Sequence, residues 1–409
     1  MSRLVTLVAI SACYFIFAIL LNSVGTVILQ SINSFGISKV QASTLEGFKD
    51  LPIAIVSFLV AAYIPRIGYK IALLTGLLAV TAASLAAPVF GNFIVIKLLF
   101  ACIGASFALV KVSVYSIIGQ ISDSEKSHSS TLNTVEGIFM VGSLIGYWLF
   151  SYFIDTNNLQ SLAWLNVYYV LAALLIFTSV LVAFSPIKAP ASSEKNVNFA
   201  DAFISMLKMS YQPLVLIFII SIFLYVLIEQ GISTWLPTFN REILQLPVDI
   251  SVQMTSIFAA SLAAGRLLAG QILKHVNWYR FLQVCIIGMA ALIIGILPLT
   301  QSIEARDISS LSDLPLAAYL LPLIGLLMAP IYPVLNSIML SSLETEKHAP
   351  MTGLIVVFSA LGGTTGSIIT GTVFEFFDGQ TAFYLSLIPM LGVFIALRGF
   401  RTATARVSQ

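Results

Sequence analysis

Apolar residues run on for twenty or more positions along most of the chain, and polar residues gather in short islands between the runs. A helix needs about 20 such residues to cross the hydrocarbon of a bilayer. The pattern predicts twelve of them, at about 4–30, 41–65, 69–90, 92–120, 128–153, 160–184, 212–240, 250–274, 277–299, 314–341, 349–374 and 379–398. One island is long: SPIKAPASSEKNVNFADAFISMLKMSY, 185–211. Its start is rich in Pro, Ser and charge and reads as a linker. Its end, Phe199 to Met209, has the spacing of an amphipathic surface helix. The linker splits the chain into 1–184 and 212–409, with six spans in each part. The expected fold class is all-α integral membrane, with twelve transmembrane helices in two six-helix, pseudo-symmetric bundles.

Composition agrees. Fifty-eight per cent of residues are hydrophobic and 9% charged, against about 25% charged in soluble domains. The net charge of +2 gives no pull on nucleic acid. Cys13, Cys102 and Cys285 lie far apart in apolar runs, so neither a metal site nor a disulfide framework follows. Ile10-Ser11-Ala12-Cys13 has the look of a lipoprotein cleavage box, but the apolar run continues to Leu29, which favours a span. With a cytoplasmic N-terminus, thirteen Lys and Arg fall inside and three outside (Lys39, Arg241 and Arg306). That bias places both termini and the linker in the cytoplasm of an inner-membrane protein.

The halves resemble each other. SDSEKSH (122–128) follows span 4 and LETEKHA (343–349) follows span 10. The next spans carry Gly142-x-x-x-Gly146 and Gly362-x-x-x-Gly366, spacings that suit close helix packing. In spans 1 and 7, Phe17, Ile19 and Gly25 align with Phe223, Tyr225 and Gly231. Together these matches point to a parallel duplication of six spans.

Twelve spans, a 6+6 split and inside termini resemble the major facilitator superfamily. The loop AYIPRIGYK (62–70) is similar to that superfamily's G-x-x-x-D-R-x-G-R-K loop through Arg66, Gly68 and Lys70, with Pro65 in place of the acid. FLYVLIEQGISTWLPTF (223–239), APIYPVLNSIML (329–340) and SALGGTTG (359–366) are similar to the fucose–proton symporter group of sugar carriers. That group tends to carry acids in spans 4 and 1, where this chain has Lys111 and Asn22-Ser23. The resemblance implies a secondary transporter working by alternating access. It implies no cofactor, with a proton or other cation gradient as the driving force.

Ionisable groups inside a membrane are functional candidates. Lys111 lies nine residues above the inner end of span 4 and Glu136 eight above that of span 5. At the helical rise, both are about 12–14 Å from the cytoplasmic edge. Opposite charge and matched depth make them a candidate coupling pair. Glu46 and Asp50 share a face of span 2 one turn apart, with Lys49 able to pair locally; they are candidates for coupling or gating. For substrate binding, span 7 offers Glu229, Gln230 and Trp235: a carboxylate and an amide for sugar hydroxyls, and an indole for a ring face. Span 10 adds Tyr332 and Asn336 on one face, and span 1 a polar stripe of Asn22, Thr26 and Gln30. Arg266 reads as an anchor near the inner end of span 8, and Lys97 as a lysine reaching the headgroups. His128, His275 and His348 fall in loops, and no nucleophile–base set marks a catalytic site. The expectation is proton-coupled movement of a small polar solute, such as a sugar or related metabolite, by a monomer. The alternative is a uniporter, exchanger or exporter of an anionic metabolite held by Lys111.

Overall fold

The computed structural model describes residues 2–122, 124–187, 199–301, 313–344 and 347–407. The polar part of the linker (188–198) and Arg306 lie outside the described residues. Helices in chain order are α1 (Ser2–Asn22), α2 (Val24–Phe35), α3 (Lys39–Ile67), α4 (Tyr69–Phe90), α5 (Phe93–Ile121), α6 (Glu125–Tyr152), α7 (Val167–Phe184), α8 (Phe199–Ser210) and α9 (Pro213–Ser233). They continue with α10 (Leu236–Glu242), α11 (Val248–Ile272), α12 (Trp278–Ile296), α13 (Leu316–Leu320), α14 (Ile324–Met328), α15 (Ile331–Ser341), α16 (His348–Phe376), α17 (Gly379–Leu385) and α18 (Leu387–Val407). The amphipathic segment after the linker is helical, as α8.

Among the described residues, eleven helical stretches are long and apolar enough to cross a membrane. The twelfth expected span is the 29-residue helix α3, whose first turns carry Lys39, Glu46, Lys49 and Asp50. Several spans that the hydropathy pattern leaves whole are interrupted, among them span 12, at Ser386 between α17 and α18. Span 1 breaks at Ser23, between α1 and α2. Span 7 breaks at Thr234–Trp235, just before Pro237. Span 10 is divided into α13, α14 and α15, with Pro330 at the start of α15. Proline removes a backbone donor and clashes with the preceding turn, so it marks such breaks. Polar side chains cap the loop ends of others: Asn92 Oδ1 accepts from Val95 N at 3.0 Å and Ser124 Oγ from Ser127 N at 3.2 Å.

The chain forms two compact units. The first comprises Met1–Val24, Asn33–Gly36 and Phe48–Phe199; the second comprises Gly25–Ile32, Ile37–Gly47 and Ala200–Gln409. The main division thus falls at the beginning of α8. Short lengths of α2 and α3 group with the second unit.

Within the first unit, α1 packs on α6 at the glycine pair. A Cβ on Gly142 would come 2.5 Å from the Phe15 carbonyl oxygen, and one on Gly146 would press on Ile19. The second unit repeats this between α9 and α16. A Cβ on Gly362 would come 2.5 Å from the Phe223 carbonyl oxygen, and one on Gly366 would collide with the backbone of Leu227. Small residues let membrane helices approach backbone to backbone, where packing rather than the hydrophobic effect holds them. The contacts also reset the register of the repeat. Phe15 corresponds to Phe223 and Ile19 to Leu227, two residues away from the alignment by residue type that matched Phe17 to Phe223.

Candidate functional site

In the first unit, α1, α5 and α6 bring rings and charges together. Lys111 Nζ, on the exposed side of α5, lies 5.9 Å from the centroids of both the Phe107 and Tyr115 rings. Such cation–ring contacts are worth about 0.5–2 kcal/mol, more as water is excluded. The Tyr115 hydroxyl donates to Glu136 Oε1 at 2.8 Å. Tyr115 therefore joins the two residues that charge and depth had matched, with its ring near the ammonium and its hydroxyl on the carboxylate. Tyr14 completes the cluster: its ring packs against Phe107, Tyr115 and Phe139 at centroid distances of 6.2, 6.4 and 5.7 Å. Tyr14 and Tyr115 were not foreseen, although Tyr115 follows Lys111 by one helical turn and lies on the same face.

Asn22, at the end of α1, donates through Nδ2 to the Ala18 carbonyl and to Ser143 Oγ on α6, both at 2.8 Å. On α3, Lys49 Nζ reaches Asp50 Oδ1 at 3.4 Å, both side chains largely buried. Lys97 Nζ lies 4.8 Å from the Phe93 ring centroid and 5.2 Å from that of Phe48.

The second unit holds a different cluster on α9, α11, α15 and α16. The Tyr225 and Tyr332 rings lie 6.1 Å apart. The Tyr225 hydroxyl donates to the Met328 carbonyl at 3.0 Å and also lies beside Glu229. Tyr332 shares a hydrogen bond of 3.2 Å with Ser359 and stands beside Asn336. Both tyrosines feel the charges of Glu229 and Arg266. Arg266, expected as an anchor about two turns from the inner end of its span, lies near enough to act electrostatically on both tyrosines. Asn336 Oδ1 is buried with no hydrogen-bond partner. Buried acceptors are rarely left so.

A few residues along the chain, the break between α9 and α10 gathers the rest. Thr234 Oγ1 lies 3.0 Å from Glu46 Oε2 and 3.3 Å from Gln230 Oε1. Trp235 departs from the expectation of an indole face open to a ligand. It is 0% exposed, its Nε1 donates to the Ser367 carbonyl at 3.0 Å, and Phe374 stacks on it at 5.6 Å. Thr26 and Gln30 are likewise buried, and Thr26 Oγ1 and Gln30 Nε2 have no hydrogen-bond partner. Lys39 binds the surface end of this region, with Nζ 3.2 Å from Glu242 Oε2 and its backbone N–H donating to Glu375 Oε2 at 2.7 Å.

The model of the Major Facilitator Superfamily matches residues 10–363. This chain belongs to that superfamily. It is a multi-pass membrane transporter and not an enzyme. Solved structures similar in fold include the nucleoside transporter NupG (TM-score 0.73, 13% identity, 97% of this chain and 98% of that one). A D-xylose-proton symporter is similar at TM-score 0.71 and 13% identity, over 97% of this chain and 98% of that one. So is the fucose:proton symporter FucP of E. coli, in a single-site variant, at TM-score 0.62 and 14% identity, over 97% of this chain and 99% of that one. No curated protein is significantly similar in sequence. At these identities the likeness concerns the facilitator fold.

Proposed function

We propose that this facilitator is a proton-coupled carrier of a small polar solute, a sugar or a related metabolite, in the inner membrane with both termini cytoplasmic. The carrying observation is the link from Lys111 through Tyr115 to Glu136. Protonating Glu136 removes a negative charge from the oxygen that accepts from Tyr115, whose ring lies near the Lys111 ammonium. That change is the coupling step by which protonation favours one state of the transport cycle. Asp50, bound to Lys49, and Lys39 with Glu242 serve as gating contacts.

Solute binding is assigned to Glu229, Tyr332 and Asn336 in the second unit. Glu229 accepts from solute hydroxyls and the orphaned Asn336 Oδ1 accepts another. Similarity to xylose, fucose and nucleoside carriers supports a solute rich in hydroxyl groups. The test is pH-driven uptake in proteoliposomes with Glu136→Gln. Accumulation that still follows the pH gradient removes Glu136 from the coupling step.

The exposed ammonium of Lys111 supports a second reading, in which it holds an anionic metabolite. Under that reading Lys111→Gln abolishes solute binding itself, including counterflow that needs no gradient.

A further inference from the structure

Two neighbouring helices of the second unit carry exposed apolar stripes that end in arginine. On α12, Val284, Ile287 and Ile294 are between 56% and 64% exposed. Their spacing of three and seven residues puts them on one face, and Arg280, four residues before Val284, continues it. On α18, Ile388, Leu391 and Ile395 are between 60% and 68% exposed, again on one face. Arg398 follows Ile395 by three residues and is exposed on that same side. Both stripes lie within membrane spans, so lipid chains cover them.

The arginine ends of the two stripes meet. The Trp278 ring, in the first turn of α12, packs edge-on against Phe400 of α18 at 6.1 Å. Next to Trp278, Tyr279 is fixed by its hydroxyl, which accepts from Gln283 Nε2 at 3.0 Å. The Arg401 guanidinium lies over the Tyr279 ring at 4.6 Å and remains exposed. Three guanidiniums thus belong to one seam at one membrane surface. Neither helix has an Asp or a Glu along its length. Among the described residues, none of the three arginines has an ion pair.

Arginine matches phosphate through its planar fork of donors, and an aromatic ring beneath it holds that fork in place. Length agrees with charge. From Arg398 back to Ile388 is ten residues, about 15 Å of helix and half of the roughly 30 Å hydrocarbon core. The stripe is one leaflet deep. A ligand that is anionic at the arginines and apolar for that depth is a phospholipid with a negatively charged headgroup. We propose that such a lipid binds the seam of α12 and α18, its phosphate on Arg280, Arg398 and Arg401 and its chains along the two stripes. The site is independent of the proton and solute assignments.

The test uses the purified full chain in detergent, titrated with phosphatidylglycerol or with phosphatidylcholine of the same chains. Bound lipid is counted by native mass spectrometry, and thermal unfolding is followed in parallel. The expected result is saturable retention of phosphatidylglycerol with a saturable rise in the unfolding midpoint, and neither with phosphatidylcholine. An arginine near an anionic lipid surface is worth roughly fivefold in affinity. Binding is therefore expected to weaken roughly twentyfold in the double variant Arg280→Gln/Arg398→Gln and to stay as it is in Lys208→Gln, which removes an exposed charge from α8. Equal responses to the two lipids overturn the site, as does full binding in the double variant. An equal loss in Lys208→Gln also overturns it, since any positive charge would then serve. A rise in the midpoint with inorganic phosphate as large as with phosphatidylglycerol overturns the lipid assignment in favour of a free anion. Should the double variant fail to fold, the choice between the two lipids by the unaltered protein decides. Glu136→Gln, which tests the proton reading, is expected to keep the lipid.

Discussion

Tyr115 donates its hydroxyl hydrogen to Glu136 across 2.8 Å, tying α5 to α6. The bond gives a neutral side chain control over a membrane carboxylate. Tyr115→Phe keeps the ring near Lys111 and removes only the donor. A hydrogen bond to a charged group is worth about 1.5–3 kcal/mol, or roughly tenfold and more in an equilibrium. Proton-driven accumulation in proteoliposomes is expected to fall by at least that factor. Solute counterflow, which needs no gradient, is expected to fall less. Equal loss in both assays would mean that the tyrosine acts on solute binding.

Lys111 is expected to matter for its charge before its shape. Lys111→Arg retains a cation over the Phe107 and Tyr115 rings, and arginine makes such contacts well. It should keep measurable pH-driven uptake, whereas Lys111→Gln should lose it and keep counterflow. Loss of counterflow in Lys111→Gln would favour an anionic solute.

The glycine seams predict matched sensitivity in the two halves. A methyl group on Gly142 or on Gly362 meets a carbonyl oxygen of the facing helix at 2.5 Å. The backbones must separate, at the cost of about 1–3 kcal/mol known for overpacked positions. Gly142→Ala and Gly362→Ala are each expected to lower the unfolding midpoint of the purified protein, by similar amounts. A neutral result at either position would count against the close approach there.

Trp235 is expected to behave as an anchor. Trp235→Phe removes the donor shared by the Ser367 carbonyl and hydroxyl, a net loss of about 0.5–1.5 kcal/mol for a hydrogen bond. A lower unfolding midpoint with an unchanged half-saturation for solute is the expected pair of results. A large change in half-saturation at full stability would return Trp235 to the binding site.

The fold was legible because bilayer thickness leaves a long-range signature: each crossing needs its own apolar run, and Lys and Arg fall between the runs. The glycine pairs were legible for a similar reason, since few residue types permit backbone contact. What hydropathy does not encode is which neighbour a helix end chooses. Nothing in residues 25–32 or 37–47 marks them as partners of the second unit. Nor does it encode the direction of a side chain at a break, so Trp235, expected to face a ligand, turns into the packing against Phe374. The charged candidates were found because charge in a membrane is rare. Tyr115, Tyr225 and Ser359 were not, because tyrosine and serine are common there. Their one signal was spacing: Tyr115 and Tyr225 each stand four residues from a charged candidate, Lys111 and Glu229.

The glycine seams restrict where the two halves can diverge. Along Phe15–Gly142 and Phe223–Gly362 the backbones touch, so no side chain beyond hydrogen fits and those positions are barred to innovation. Change is thrown onto the other faces. The step of 221 residues that relates the loops SDSEKSH and LETEKHA carries Lys111 onto Tyr332 and Tyr115 onto Asn336. The two halves share their joints and differ in their tools: on that alignment an ammonium in one half stands where the other has a phenol.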